Sequence, residues 1–273
     1  SFDTSKNKDF SYMFSECNFV TSLDTSKFNT KQGIDMSYMF HNCRSLKKIN
    51  VESFDTSNVK NMIEMFSGLY SLKELNLYSF NTKLLKDMSS FFYGCSNLLS
   101  LDISKLDTSN VENMSYMFGE NKYLLSLNLN NFNTKKVKNM SKMFEGCEHI
   151  RTLDLKKFDT SSVVDMSHMF EDCKKIENVL VSSFNTEKVN DMSFMFASNE
   201  RLGEIDISNF KTNNLKNLSN MFQNCKNLTS INLKNFNTSL VNNMNYMFDG
   251  CESLTDLDLS NFNTEKLNEL LFT

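Results

Sequence analysis

The sequence contains no proline, no tryptophan, one alanine (Ala197) and three arginines, and only seven of its 273 residues are glycine. Lysine, asparagine and phenylalanine are abundant instead. Alanine, glycine and proline have GC-rich codons, whereas lysine, asparagine and phenylalanine have AT-rich codons. The bias indicates an AT-rich gene and says nothing about the fold.

Other absences exclude whole classes of protein. No apolar run approaches the roughly 20 residues that a membrane-spanning helix needs, so we expect no membrane span. The net charge of -4 is spread along the chain without a basic cluster, which argues against a nucleic-acid partner. The sequence shows no signal peptide, and it starts at Ser1 rather than Met. We therefore expect an excised piece or a processed product, from which a targeting segment has been lost.

What the chain does contain is a motif of Phe, then Asp or Asn, then Thr that returns every 26 residues without insertion or deletion. The Thr does not vary from Thr4 to Thr264. The first position is held by Phe2, Phe28, Phe54, Phe80, Leu106, Phe132, Phe158, Phe184, Phe210, Phe236 and Phe262. A fixed period of this length is typical of a solenoid, in which each unit buries its apolar face against its neighbours.

Within one central repeat, the apolar spacing changes from that of a helix to that of a strand. Met114 and Phe118 follow Val111 by three and seven residues, which favours one face of a short helix. Leu127 and Leu129 alternate with polar residues, which favours a short strand with one buried face.

The sequence therefore predicts an α/β repeat fold, a leucine-rich-repeat-like solenoid of about ten 26-residue rungs. Each rung would hold a short helical segment and a short strand in a parallel sheet. We expect residues 1–273 to form a single solenoid domain that is part of a longer repeat array.

Methionine and phenylalanine mark the predicted core. All 17 methionines fall in two columns of the repeat. A further column is occupied by phenylalanine without exception, from Phe14 to Phe248. A methionine stripe could also indicate copper or a promiscuous binding groove. Because every methionine is paired with phenylalanine on the inward face, we interpret the stripe as core.

The seven cysteines share one column, where Leu69, Asn121 and Asn199 replace them in the remaining repeats. Neighbouring cysteines in stacked rungs could approach disulfide distance. However, Cys95 has no neighbour in its column. We therefore favour buried free thiols that act as small hydrophobic residues. Zinc is disfavoured because there is no Cys-x-x-Cys motif and no histidine cluster.

Two polar columns have predicted structural roles. Asp or Asn lies four residues before the Phe of the motif in nine of ten repeats, with Leu180 as the exception. Adjacent carboxylates are avoided there, which favours a ladder in which Asn donates to the neighbouring side chain over a row of calcium ions. The Thr column is predicted to bond backbone groups through its hydroxyl and to pack its methyl group.

No catalytic, cofactor or metal site is predicted. The three histidines, His41, His149 and His168, lie in three different columns, and none is beside a recurring Ser or Cys as a triad would require. The chain has no glycine-rich phosphate loop, and its carboxylates are arranged in columns rather than in one isolated pair. We expect a protein that is not an enzyme.

The repeat resembles a known family. The unit F-[DN]-T-S-x-V-x-[DN]-M-S-x-M-F-x-x-C-x-x-L-x-x-L-[DN]-L-S-x-F, nearly unbroken at Phe158–Cys173 and Phe236–Phe262, is similar to the 26-residue bacterial surface protein repeat. That repeat is abundant in mycoplasma surface lipoproteins and is related to BspA-like leucine-rich repeats. The resemblance implies a cell-surface location and adhesion, without an agreed ligand, and no lipid-attachment cysteine lies near the start of this chain.

We accordingly expect an extracellular or cell-surface module that binds a host or neighbouring-cell macromolecule, protein or glycan. The expected binding surface is the outward face of the strands. Its candidate ligand-binding residues are Glu52, Tyr78, Asp102, Asp154, Lys156, Asp206 and Lys234.

The alternative is a structural spacer, stalk or filament element without a specific ligand. It is favoured by the uniform repeats and by ends that lack a polar capping repeat, including an end inside a helical segment at Leu270–Phe272. Such ends would allow end-to-end stacking.

Overall fold

The computed structural model describes residues 3–267, and its strands are short and parallel. They are β1 (Ser22–Asp24), β2 (Lys48–Asn50), β3 (Thr152–Asp154) and β4 (Asn178–Leu180). β1 pairs with β2 and β3 pairs with β4, each in a register of one repeat length, so that Leu23 lies beside Ile49. The repeats are therefore stacked as rungs of a leucine-rich-repeat-like solenoid.

The extent of the domain is only partly covered by the described residues. A single cluster of buried apolar side chains runs from Phe10 to Met247. Phe2 and the segment Leu270–Phe272, for which a helical end was expected, lie outside the described residues. The assignment of residues 1–273 to one domain stays a prediction.

The short helical segment predicted for each rung is wrong, because residues 3–267 contain no helix. That part of each rung is a series of turns instead. Two residues per rung, four positions apart, have a positive φ, from Tyr12 and Glu16 in the first rung to Tyr246 and Gly250. A left-handed residue interrupts an α-helix.

In place of helical bonds, this part of the rung bonds to the next rung. We call it the turn seam; in the sixth rung it comprises residues 140–147. Four of its N–H groups donate to the next rung, Met140 to Asp165 (3.0 Å), Lys142 to Ser167 (2.9 Å), Phe144 to Met169 (3.0 Å) and Gly146 to Glu171 (2.8 Å). The intervening N–H groups close tight turns, as from Met143 to the Met140 carbonyl at 3.3 Å. The positive φ values turn alternate N–H groups towards the neighbour, so the turn seam satisfies its backbone between rungs.

The side of the rungs that carries β1–β4 and the equivalent positions of the other rungs is called the strand side. Backbone pairing there is less continuous than in the predicted parallel sheet. Within residues 3–267, strand pairing on that side is confined to β1–β2, β3–β4 and one bridge between Ser230 and Asp256. On the side of the rungs that carries the turn seam, which we call the turn side, parallel bridges recur in a column from Asp9 to Asn243. The main ladder between rungs therefore runs along the turn seam and not along the strands.

The predicted phenylalanine core is present as one stack of rings. Ten residues from Phe14 to Phe248, one per rung, have adjacent ring centroids 5.4–6.2 Å apart and ring planes within 15° of parallel. The methionines pack beside the stack, and all of them except Met13 are buried. The methionine stripe is therefore core.

The invariant threonine joins each rung to the next. Thr160 is 1% exposed; its hydroxyl donates to the Asn185 carbonyl (2.9 Å) and accepts from the Asn185 N–H (2.8 Å). The same pair of bonds joins Thr108 to Asn133. The sequence predicted backbone bonds from this hydroxyl, but both partners belong to the next rung and not to a helix start.

The cysteines are free thiols, and five of the seven are buried. Six of them donate to a phenylalanine carbonyl 29 residues earlier in the chain, as Cys95 does to Phe66 at 3.1 Å. Burial raises the pKa of Cys95 and of Cys147 to about 12, which keeps these thiols protonated and unreactive at neutral pH. Asn121 replaces cysteine and keeps the equivalent hydrogen bond, because its Nδ2 donates to the Phe92 carbonyl at 2.9 Å.

Asn199 replaces cysteine less well, and this leads to a prediction. Its side chain is fully buried, and within the described residues neither its Nδ2 nor its Oδ1 has a hydrogen-bond partner. An unsatisfied buried amide costs about 1–3 kcal/mol. We expect Asn199→Cys to raise the free energy of unfolding by about 1–3 kcal/mol, because it removes the unpaired amide and supplies a thiol. Denaturant unfolding measures this.

The matched control is Asn121→Cys, which removes an amide that is already bonded. That variant should change stability by less than about 1 kcal/mol. Equal gains from both substitutions would show that cysteine is simply better than asparagine in this column and that the unpaired amide is irrelevant.

Candidate functional site

The strand side carries all seven predicted ligand-binding residues, and all are exposed. The Asp or Asn at the end of each strand position bends back on its own chain and accepts from the N–H two residues later. Asp102 accepts from Ser104 (2.9 Å), Asp154 from Lys156 (3.1 Å) and Asp206 from Ser208 (3.1 Å). These turns fix one oxygen of each side chain and so set the direction of the other.

A first groove crosses three rungs of the strand side. It has a volume of about 580 Å³ and brings together Glu52 and Asp102, with Leu75 at its base and Asn76 between them. The Asn76 Nδ2 donates to Glu52 Oε1 at 2.8 Å. This groove is acidic, because its lining carries three carboxylates, Glu52, Glu74 and Asp102, and one lysine, Lys48.

A second groove of about 510 Å³ lies further along the strand side and brings together Lys156 and Asp206. Its lining includes Leu180, Ile205 and Ile231, which are half-buried apolar side chains. We call it the Leu180 groove. It combines an apolar floor with one basic side chain, Lys156, and two acidic ones, Glu204 and Asp206. This is the composition of a site that binds a mixed polar and apolar partner surface.

The grooves coincide with interruptions of strand pairing. Within residues 3–267, no backbone hydrogen bond joins residues 204–206 to 178–182 or to 230–232. The N–H groups of Ile205 and Asp206 therefore make no backbone bond. An open strand side leaves polar backbone groups available to a partner or to water.

The structure does not place the other three predicted residues in either groove. The Tyr78 ring is 73% exposed and lies 5.0 Å from Lys105 Nζ, which is cation–π distance. The Asp154 carboxylate accepts from the Lys156 N–H within its own turn. The Lys234 N–H donates to Asn232 Oδ1 at 3.2 Å in the equivalent turn. The predicted site is thus divided into two grooves and three separate residues.

Hydrogen bonds lower the pKa of one aspartate in each groove, Asp102 and Asp206. The Ser104 backbone N–H lowers the pKa of Asp102, and the Ser208 hydroxyl, which donates to Asp206 at 2.6 Å, lowers the pKa of Asp206. Both groups are charged at neutral pH. The negative charge of these two aspartates is therefore constant over the physiological range.

The predicted side-chain ladder exists, but in another column. Asn61 donates to Asp35 (3.0 Å), Asn113 to Asp87 (3.0 Å) and Asn217 to Asp191 (3.2 Å), in the column one residue before the turn seam. The strand-side Asp and Asn residues were the predicted ladder, yet their side chains are committed to their own turns. The strand-side Asp and Asn residues therefore stabilise turns within their own rungs.

Sequence reasoning missed the apolar floor of the Leu180 groove. One signal was present, since Leu180 is the one member of its column that is neither Asp nor Asn. Ile205 and Ile231 carried no such signal, because they occupy a column that is apolar in every rung.

Neither a metal cluster nor a membrane span is present among the described residues. In residues 3–267 no three His, Cys, Asp or Glu side chains are grouped as metal ligands. Over the same residues, no helix has the length and apolar character needed to cross a bilayer.

Comparison with protein families gives a match over almost the whole chain. The family model described as "Mycoplasma protein of unknown function, DUF285" matches residues 1–95, 69–180, 147–255 and 205–272. None of the curated proteins compared with the chain matches it. The family match confirms the resemblance predicted from the repeat.

Solved structures of bacterial leucine-rich repeat proteins are distantly similar. A protein from Eubacterium ventriosum is 16% identical with a TM-score of 0.49, covering 94% of this chain and 71% of that one. The T. pallidum protein TpLRR is 16% identical with a TM-score of 0.44, covering 67% and 78%. A leucine rich cell surface protein from Faecalibacterium prausnitzii is 14% identical with a TM-score of 0.33, covering 88% and 79%. None of these matches indicates a catalytic family.

Proposed function

Because the chain belongs to the family described as "Mycoplasma protein of unknown function, DUF285", we propose that it is a cell-surface repeat module that binds a host or neighbouring-cell macromolecule. Binding takes place on the strand side, and its role is adhesion. The repeats are the scaffold, and the strand-side residues that vary between rungs give specificity.

The observation that carries the proposal is the Leu180 groove. The remaining members of the Leu180 column are Asp or Asn, which make turns and stay hydrated. Leu180 replaces that polar group with an apolar side chain, beside the half-buried Ile205 and Ile231. A solvated surface gains nothing from such a replacement, whereas a partner gains an apolar contact inside a polar rim.

The flanking charges indicate what the partner carries. Lys156, Glu204 and Asp206 lie at the same groove, so a partner segment with an apolar side chain, two basic groups and one acidic group fits it. Rim charges of this kind govern association rate and specificity more than affinity. Binding should therefore weaken as salt rises, without being abolished.

The decisive variant is Leu180→Asn, which introduces the residue that four other rungs carry at this position and so keeps the turn. We expect it to reduce binding of the purified protein to intact host cells by about tenfold, because it removes the apolar centre of the contact. Flow cytometry with labelled protein measures this, and thermal melting shows whether the variant is folded.

The matched control is Lys27→Ser, an exposed change outside the Leu180 groove at a position where other rungs carry serine. It should bind like the parent. If Leu180→Asn binds host cells as well as the parent does, the Leu180 groove is not the binding site.

A structural spacer is the second candidate, and the uniform phenylalanine stack and turn seam favour it. A spacer predicts that deleting one complete rung changes adhesion through length alone. In that case Leu180→Asn would have no effect, and adhesion would fall steadily with each deleted rung.

A further inference from the structure

Tyrosine is concentrated at one end of the turn side. Of the eight tyrosines, five lie there within the first five rungs, namely Tyr12, Tyr38, Tyr70, Tyr93 and Tyr116. The same columns carry mainly charged residues in the sixth and seventh rungs, such as Lys142, Glu145 and Glu171. Tyrosine on the turn side is thus most frequent in the first five rungs, away from the strand side.

Three of these tyrosines line one groove. The groove has a volume of about 430 Å³ and is formed by Tyr70, Tyr93 and Tyr116 together with Arg44, Glu64 and Ser90. We call it the tyrosine groove. Tyr70 is 39% exposed, and Tyr93 and Tyr116 are half-buried. The rings therefore present part of their surface to solvent while the rest is held by the protein.

Two glycines hold the rings close to the backbone. A Cβ atom on Gly94 would lie 3.2 Å from Tyr70 Cε1, and one on Gly119 would lie 3.1 Å from Tyr93 Cδ2. Tyr93 and Tyr116 meet edge to face, with centroids 5.8 Å apart and planes at 78°. The rings are thus positioned by packing, which lowers the entropy lost when a ligand binds.

The groove lining holds one carboxylate, Glu64, and one guanidinium, Arg44. The Glu64 carboxylate lies 3.1 Å from His41 Nδ1, and the Arg44 guanidinium lies 5.9 Å from the Tyr70 ring centroid. Neither sign dominates the lining. A charged ligand is therefore not attracted by an opposite net charge, and the free-energy cost of desolvating its own charge is not offset.

We propose that the tyrosine groove binds a neutral oligosaccharide. The C–H faces of a sugar ring carry a small positive charge and pack on the negative surface of aromatic rings. Its hydroxyl groups match the guanidinium, carboxylate and hydroxyl groups of Arg44, Glu64 and Ser90. The site lies on the turn side, so it is distinct from the strand-side surface of the proposed function.

The test is binding to an immobilised array of neutral, acidic and amino oligosaccharides, followed by titration of the retained neutral compound in solution. Because the chain has no tryptophan, tyrosine emission reports the titration. We expect retention of neutral compounds only. Tyr70→Ala should weaken binding about tenfold, and Tyr70→Phe, which keeps the ring, should bind within a few-fold of the parent.

Two further variants keep the test decisive. Tyr123→Ala removes an exposed tyrosine outside the tyrosine groove and should bind like the parent. Arg44→Met changes one exposed side chain and should weaken binding, which covers the case in which Tyr70→Ala melts early. The proposal is overturned if no neutral compound is retained, if acidic compounds bind equally well, or if Tyr70→Ala and Arg44→Met both bind like the parent.

Discussion

Phe144→Ala is expected to lower the free energy of unfolding by about 3–5 kcal/mol. Phe144 is fully buried, and its ring lies between those of Phe118 and Phe170, at centroid distances of 5.7 and 5.8 Å. Truncation leaves a cavity in the middle of the stack and breaks two ring contacts. Urea unfolding followed by far-UV circular dichroism measures the loss.

The same substitution at the end of the stack is the control. Phe14 is only partly buried, and among the described residues Phe40 is its one partner within the stack. Phe14→Ala should therefore cost about half as much as Phe144→Ala. Equal losses at the two positions would mean that stacking between rungs contributes little and that burial alone sets the cost.

Thr160→Val is expected to lower the free energy of unfolding by about 2–4 kcal/mol, although valine has nearly the shape of threonine. The substitution removes the hydroxyl that serves both the N–H and the carbonyl of Asn185. Each backbone group left without a partner at a buried site costs about 1–3 kcal/mol. Thermal and urea unfolding of the variant give the value.

Thr160→Ser separates the hydroxyl from the methyl group. Serine keeps both bonds and loses one methyl, so we expect a loss of about 1 kcal/mol. If serine proves more harmful than valine, then packing and not hydrogen bonding explains why threonine is invariant at this position.

The stacked rungs and the core columns could be predicted from the sequence, because an unbroken period fixes which side chains lie above one another. Phe144, Met140 and Cys147 were each assigned to the interior, and each is buried. The side chains of a column that recurs in every rung face either the interior or the solvent, and the composition of the column indicates which.

The turn seam could not be predicted from the apolar pattern, since spacings of three and four residues suit a helix as well as a chain of turns. One signal was overlooked. The column of Glu16 holds Gly, Asn or Asp in seven of ten rungs, including Gly68, Asn42 and Asp172, and these residues tolerate positive φ. The column of Tyr12 carries no such signal, although φ is positive there too.

The exposure of the candidate strand-side residues was predictable from alternation, but their grouping was not. Glu52 and Asp102 share one groove, and Lys156 and Asp206 share another, because strand pairing is interrupted between those rungs. Every rung has nearly the same strand sequence, so a single repeat does not reveal where the pairing is interrupted.

The turn seam joins the rungs while the strand side is open at its grooves, and amide hydrogen exchange, resolved by residue, tests this most directly. We predict that the N–H groups of Lys142, Phe144 and Gly146, which bond to the next rung, exchange at least about a hundredfold more slowly than those of Ile205 and Asp206. The reverse order, with slow exchange at Ile205 and Asp206 and fast exchange along residues 140–147, would contradict it and restore a continuous sheet on the strand side.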